Sequence, residues 1–137
     1  MILLAALDDK NGMLFNKRRQ SQDQALRTRI SKISAARRLW VSPYTAKQFA
    51  DDAPEQLCIA DDPAARAEAG DFCFIEDTDF SAYAKNVEKI IIYRWNRTYP
   101  GDKFFDMPLA DKGWRLVSTT DIAGNSHESI TEEVYEK

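Results

Sequence analysis

The segment Ile2-Leu3-Leu4-Ala5-Ala6-Leu7 is apolar without interruption and stops at Asp8-Asp9. It lacks the polar alternation of a strand with one wet face, so it fits a short strand covered on both sides, central in a parallel or mixed sheet. Asn11-Gly12 follows as a strong turn signal, and a loop is expected from about Asp8 to Gln20. The run has neither the basic lead-in nor the length of a signal peptide, and no other stretch approaches the ~20 apolar residues of a membrane span. A soluble, cytoplasmic protein with no membrane partner is expected.

Past the loop, Ser21 and Gln24 have capping-box spacing, with Asp23 in the first turn at the positive end of the helix dipole. Leu26, Ile30 and Ile33 recur at helical spacing, which predicts an amphipathic helix from about Gln22 to Ala36. Leu39-Trp40-Val41 reads as a strand, and Ser42-Pro43 as an N-cap and first position of a short helix through Tyr44 to Phe49. Further strands are expected at Gln56 to Ala60, Phe72 to Ile75 and Lys89 to Arg97. A short helix opens at Asp62-Pro63, ending at Gly70, and one helical turn is expected at Phe80 to Tyr83. Trp114 to Ser118 and Ile130 to Tyr135 read as a closing antiparallel pair, the latter an exposed edge on which two chains could pair. Early strands alternating with helices and a late hairpin imply α/β with a mixed sheet. A length of 137 residues fits one domain over 1–137.

Residue counts remove several chemistries. Two cysteines, Cys58 and Cys73, and one histidine, His127, are too few for a multi-histidine or four-sulfur zinc site, so no metal is expected. Acid-base work falls to carboxylates, tyrosines, lysines or that one imidazole. Net charge is −3, yet the stretch from Lys17 to Arg38 carries eight basic residues against the single acid Asp23. Such a field attracts phosphates, carboxylates or a nucleic acid backbone, although long cations are also ordinary helix surface. Asp23 is a candidate acid-base or ring-binding carboxylate, or else a helix-terminal charge paired with Arg27. His127, in a Gly124-Asn125-Ser126 setting, reads as a turn residue. Trp95 with Tyr93 or Tyr99, beside Arg94 and Arg97, could stack nucleic acid bases or simply pack across strands.

The order of apolar strand, Asn-Gly loop, acid-led helix and Trp40-Val41-Ser42-Pro43-Tyr44-Thr45 resembles dihydrofolate reductase. So do Ile90 to Tyr93, Gly101-Asp102, Phe105, Trp114, Asn125-Ser126-His127 and Glu133-Val134-Tyr135-Glu136. The resemblance implies a mainly parallel central sheet, flanking helices and a C-terminal antiparallel hairpin. It implies Asp23 as the catalytic carboxylate that holds a pterin. Leu4, Ala5, Ala6 and Arg27 join it at the substrate, and Ala6, Thr45 and Asp102 lie at an NADPH cofactor.

The sequence departs from that pattern in specific places. Gln24 and Arg27 stand where apolar and aromatic residues follow the family's carboxylate, and Ser42-Pro43 replaces a Gly-Arg that grips phosphate. No Gly-Gly turn and helix follow Phe72 to Ile75, only Glu76 to Glu88. Dinucleotides are held by backbone N–H groups at a helix start where glycine leaves room, so these losses argue against strong NADPH binding. The expectation is a shortened, diverged relative that binds a small anionic heterocycle, a pterin or nucleotide, without efficient NADPH-dependent reduction. The alternatives are a working reductase, or an RNA-binding or RNA-processing protein using the basic 17–38 segment. Arg19-Gln20-Ser21-Gln22-Asp23 and Trp40 to Phe49 also resemble short chains labelled ribonuclease Z. That chemistry needs a two-metal His-x-His-x-Asp-His motif, which one histidine cannot supply.

Overall fold

The computed structural model describes residues 1–105 and 112–137. The strands are β1 (Ile2–Leu7), β2 (Gly12–Phe15), β3 (Arg18–Arg19), β4 (Leu39–Val41), β5 (Leu57–Ile59), β6 (Phe72–Phe74), β7 (Lys89–Arg94), β8 (Lys103–Phe104), β9 (Arg115–Ala123) and β10 (Ser129–Glu136). The α-helices are α1 (Gln24–Ile33), α2 (Pro43–Ala46) and α3 (Pro63–Arg66), with 3-10 turns at Lys47–Phe49 and Ser81–Asn86.

Seven strands form one sheet in the order β5-β4-β6-β1-β7-β10-β9. The five from β5 to β7 run parallel, and β10 turns the sheet antiparallel against β7 and then β9. The apolar run at the start of the chain is thus the sheet's middle strand, with Leu3, Leu4 and Ala5 wholly buried. Its two faces feed two cores. Leu3, Ala5, Ile90 and Ile92 pack on one side with Met13, Phe80 and Trp114, while Leu4, Ile91 and Tyr93 pack on the other with Leu26, Ile30 and Phe49.

Several expectations need correction. The span from Asp8 to Gln20 is not one loop. It carries the hairpin β2–β3, which with β8 makes a three-stranded sheet. The Asn11 turn at its start has φ 64° and is tied by Asp8, whose carboxylate accepts the Lys10 and Gly12 N–H groups at 2.9 and 2.7 Å. Helix α1 is capped by Asp23 rather than Ser21, and it ends at Ile33, short of Ala36. The physical reason for the early end is side-chain competition. Ser34 Oγ donates to the Ile30 carbonyl at 2.7 Å, and Gln56 Nε2 takes the Ser31 carbonyl at 2.9 Å. Helix α3 stops at Arg66, so Gly70, at φ 82°, serves the later turn into β6. Strand β10 lies between β7 and β9 and is not an edge; β9 is the edge, and its backbone bulges beside Val134 and Tyr135. Ser42 does cap α2, accepting the Thr45 N–H at 3.1 Å, with Pro43 at the first position.

Both cysteines are free, and burial pushes the Cys73 thiol up to about 12, which leaves it unreactive. No helix among the described residues is long and apolar enough to cross a membrane.

If α1 is held by its apolar stripe, Ile30→Ala should cost about 2–5 kcal/mol in urea denaturation. Val117→Ala, on the exposed edge strand, should stay within about 0.5 kcal/mol. Equal losses at the two positions would contradict this packing.

Candidate functional site

Asp23 sits where α1 begins and is almost fully buried. Its Oδ1 accepts the Ala25 N–H at 2.8 Å and the Asn125 N–H at 2.9 Å. Its Oδ2 accepts the Ser126 and His127 N–H groups at 2.8 and 3.1 Å, the Ser126 hydroxyl at 3.1 Å and His127 Nδ1 at 3.0 Å. Burial alone would raise the pKa of this carboxyl, but the hydrogen bonds from Asn125, His127, Ser126 and Ala25 outweigh it and hold the group far below the usual carboxylate range. Asp23 is therefore an ionised anchor joining the start of α1 to the β9–β10 connection. Gly124 makes that close approach feasible, because a Cβ there would collide with the His127 carbonyl. The expected pair of Asp23 with Arg27 is not formed by their side chains. Arg27 Nε lies 3.6 Å from Asp52 instead.

His127, expected as an ordinary turn residue, is buried, and its ring stacks on Trp95 with centroids 4.6 Å apart. Its Nε2 is within 3.1 Å of Ser21 Oγ and 3.0 Å of Tyr99 Oη. No local signal marked this cluster, because Asp23 and His127 are 104 residues apart. Trp95 and Tyr93 are buried, so they do not form an exposed stacking surface for bases. Tyr93 instead donates to Glu132 at 2.9 Å, and Arg29 grips the same carboxylate with bonds of 2.9 and 3.0 Å, riveting α1 to β10.

The other expected site residues separate. Leu4 and Ala5 have 0% exposure and lie on opposite faces of the sheet, so neither reaches a ligand unless a core opens. Ala6 is half-buried on the α1 side. Asp102 is exposed at the small sheet and accepts the Asn16 N–H at 3.1 Å. Thr45 is buried, and its hydroxyl donates to Glu76 at 2.9 Å rather than facing solvent.

That last contact bears on the cofactor. Chain connections leave β4 and β6 in opposite directions, so the crevice beyond their carboxyl ends is the switch point where sheets of this kind take ligands. Here the crevice holds the chain's own acids. Glu76 accepts from Thr45 and from Arg19 at 3.0 and 3.2 Å, and Asp77 accepts from Ser42 at 2.7 Å. Glu76 already takes up Arg19, the cation closest to it, and a like charge brought to about 4 Å of Asp77, whose donor is a neutral hydroxyl, costs roughly 4 kcal/mol near a protein surface, about a thousandfold in affinity. The residues present do not fit a pyrophosphate.

Asp23 and Arg27 do meet at one place. A cleft of about 470 Å³ between the start of α1 and the 3-10 turn that follows α2 is lined by both, with Gln24, Lys47, Gln48, Asp51 and Ser126 among its other walls. Arg27 Nε and Gln48 Nε2 are buried there with no hydrogen-bond partner among the described residues. Of the eight cations between Lys17 and Arg38, three are ion-paired among the described residues, Arg19 with Glu76, Arg27 with Asp52 and Arg29 with Glu132. The basic field is correspondingly weaker than the sequence suggests, and among the described residues no acidic, histidine or cysteine group clusters as a metal site would need.

No protein-family model and no curated protein matches the chain. Among solved structures it is similar to dihydrofolate reductase from Enterococcus faecalis, complexed with NADP(H) and RAB-propyl. The TM-score is 0.65 at 11% identity, over 98% of this chain and 94% of that one. The chain has a dihydrofolate reductase-like fold; identity this low carries the architecture alone.

Because Asp23 is depressed in the folded state, its stabilisation is complete above the unfolded value of 3.8 and is lost progressively as pH falls below it. Asp23→Asn should flatten the acid limb of a stability-versus-pH curve and cost about 3–5 kcal/mol at neutral pH, measured by urea unfolding. An unchanged acid limb would show that Asp23 is not the anchor.

Proposed function

We propose that this dihydrofolate reductase-like fold serves as a binding module for a small anionic heterocycle, a pterin or a nucleotide, held in the cleft between α1 and the 3-10 turn that follows α2. The observation that carries this reading is the convergence of Gln24, Arg27, Lys47 and Gln48 on that cleft, where Gln48 Nε2 has no hydrogen-bond partner among the described residues. A buried donor without an acceptor costs about 1–3 kcal/mol, so a ligand that supplies acceptors there recovers that cost on binding. Lys47 and Arg27 give the cleft cations beside the acids Asp23 and Asp51, a mixed lining in which an anionic group pairs with Lys47, and the Gln24 and Gln48 amides suit the mixed donors and acceptors of a heterocycle edge.

Asp23 contributes to one wall, but its depressed pKa suits it to fixing that wall and not to giving up a proton. Leu4, Ala5, Ala6, Thr45 and Asp102 lie outside the cleft lining. In this reading the chain binds without efficient NADPH-dependent reduction, since the crevice acids Glu76 and Asp77 oppose a dinucleotide and Asp23, held ionised, has no proton to give.

Thermal shift against folate, pterin-6-carboxylate and the common mononucleotides tests the reading. At about 100 times the dissociation constant a ligand should add roughly 2.7 kcal/mol of stability. Arg27→Ala should weaken binding at least about tenfold, a loss of some 1.4 kcal/mol. No shift with any of these compounds, or binding indifferent to Arg27, would overturn the assignment.

A further inference from the structure

Ser21, His127 and Asp23 form a chain of contacts of which the binding function uses only Asp23, as part of a wall. Asp23 Oδ2 is 3.0 Å from His127 Nδ1, and His127 Nε2 is 3.1 Å from Ser21 Oγ. A carboxylate can only accept, so in the neutral ring the hydrogen sits on Nδ1 and the Nε2 lone pair faces the serine hydroxyl. The ring is fixed by its stack on Trp95, and the carboxylate by its own backbone donors. Nucleophile, base and orienting acid thus stand in the relation that activates serine in acyl transfer. Ser21 is only half-buried, and among the described residues the N–H of Gln22, the next residue, meets no backbone acceptor. The N–H of the residue after the nucleophile is a common oxyanion donor in acyl transfer.

We propose that Ser21 is an activated nucleophile and that the protein hydrolyses small carboxylic esters approaching from the hairpin side of the molecule. A groove of about 540 Å³ on that side is lined by Phe15, Arg18, Gln20 and Tyr99 among others; Ser21 follows Gln20 in the chain, and Tyr99 links the groove to the histidine by its contact with Nε2 at 3.0 Å. Nearly half-exposed Phe15 offers an apolar face and exposed Arg18 a cation. The fitting substrate is an ester with a flat or apolar group and an anionic end.

Ser21 Oγ bonds to the ester carbonyl carbon as its proton passes to Nε2. The carbon–alkoxide bond then breaks, and the imidazolium returns that proton to the departing alcohol. Water adds to the acyl-serine with Nε2 as base, the acyl–Oγ bond breaks, and Ser21 regains its hydrogen. No redox partner is needed.

The test is labelling with diisopropyl fluorophosphate, read by intact mass, together with p-nitrophenyl acetate hydrolysis. One adduct per chain at Ser21 is expected, absent in Ser21→Ala of unchanged melting temperature. His127→Gln should slow labelling about 100-fold or more. In case the histidine variant fails to fold, Ser21→Cys gives a second reading, since its thiol should react with iodoacetamide faster than free cysteine does. No adduct on the folded protein, an unchanged adduct on Ser21→Ala, or a Ser21→Cys thiol no faster than free cysteine would overturn the proposal.

Discussion

One ionised carboxylate ties this fold together. Asp23 caps α1 and at the same time gathers the backbone of residues 125–127 onto the opposite end of the chain. A buried charge is tolerated only when donors surround it, and here six donor groups do so. The consequence is positional. Helix α1 is fixed against the antiparallel end of the sheet, Arg29 reaches Glu132, and Leu26 and Ile30 close over Leu4 and Tyr93.

The same economy of charge recurs at the crevice beyond β4 and β6. An α/β sheet with a switch point has a natural place for an anion there, because connections diverge and helix starts point inward. This chain fills the place with Glu76 and Asp77, satisfied by Arg19, Thr45 and Ser42. The fold shared with a reductase is retained, while the crevice and the strand end at Leu4 and Ala5 are taken up by internal contacts.

Much of the architecture was legible in the sequence because it rests on local patterns. The Ile2 to Leu7 run announced a doubly covered strand, Ser42-Pro43 announced a helix start, and Ile90 to Tyr93 announced the neighbouring strand. What stayed hidden rests on distant pairs. The short strands of the β2–β3 hairpin have little periodicity, and their turn uses left-handed Asn16 and Lys17, which a scan for glycine passes over. Ser34 ends α1 through a side-chain bond that propensity does not register.

The candidate site was legible only in part. Asp23 and Arg27 could be singled out as an acid amid cations, and they do share a cleft. Their relation could not, since Arg27 turns to Asp52 and Asp23 to a histidine at the far end of the chain. Gln48, Tyr99 and Ser21 carry no motif and matter through placement alone. In this dihydrofolate reductase-like fold the crevice beyond β4 and β6 is occupied by the chain's own acids. Isothermal titration with NADPH tests this most directly: no saturable heat is predicted, and a dissociation constant in the micromolar range or tighter would contradict it.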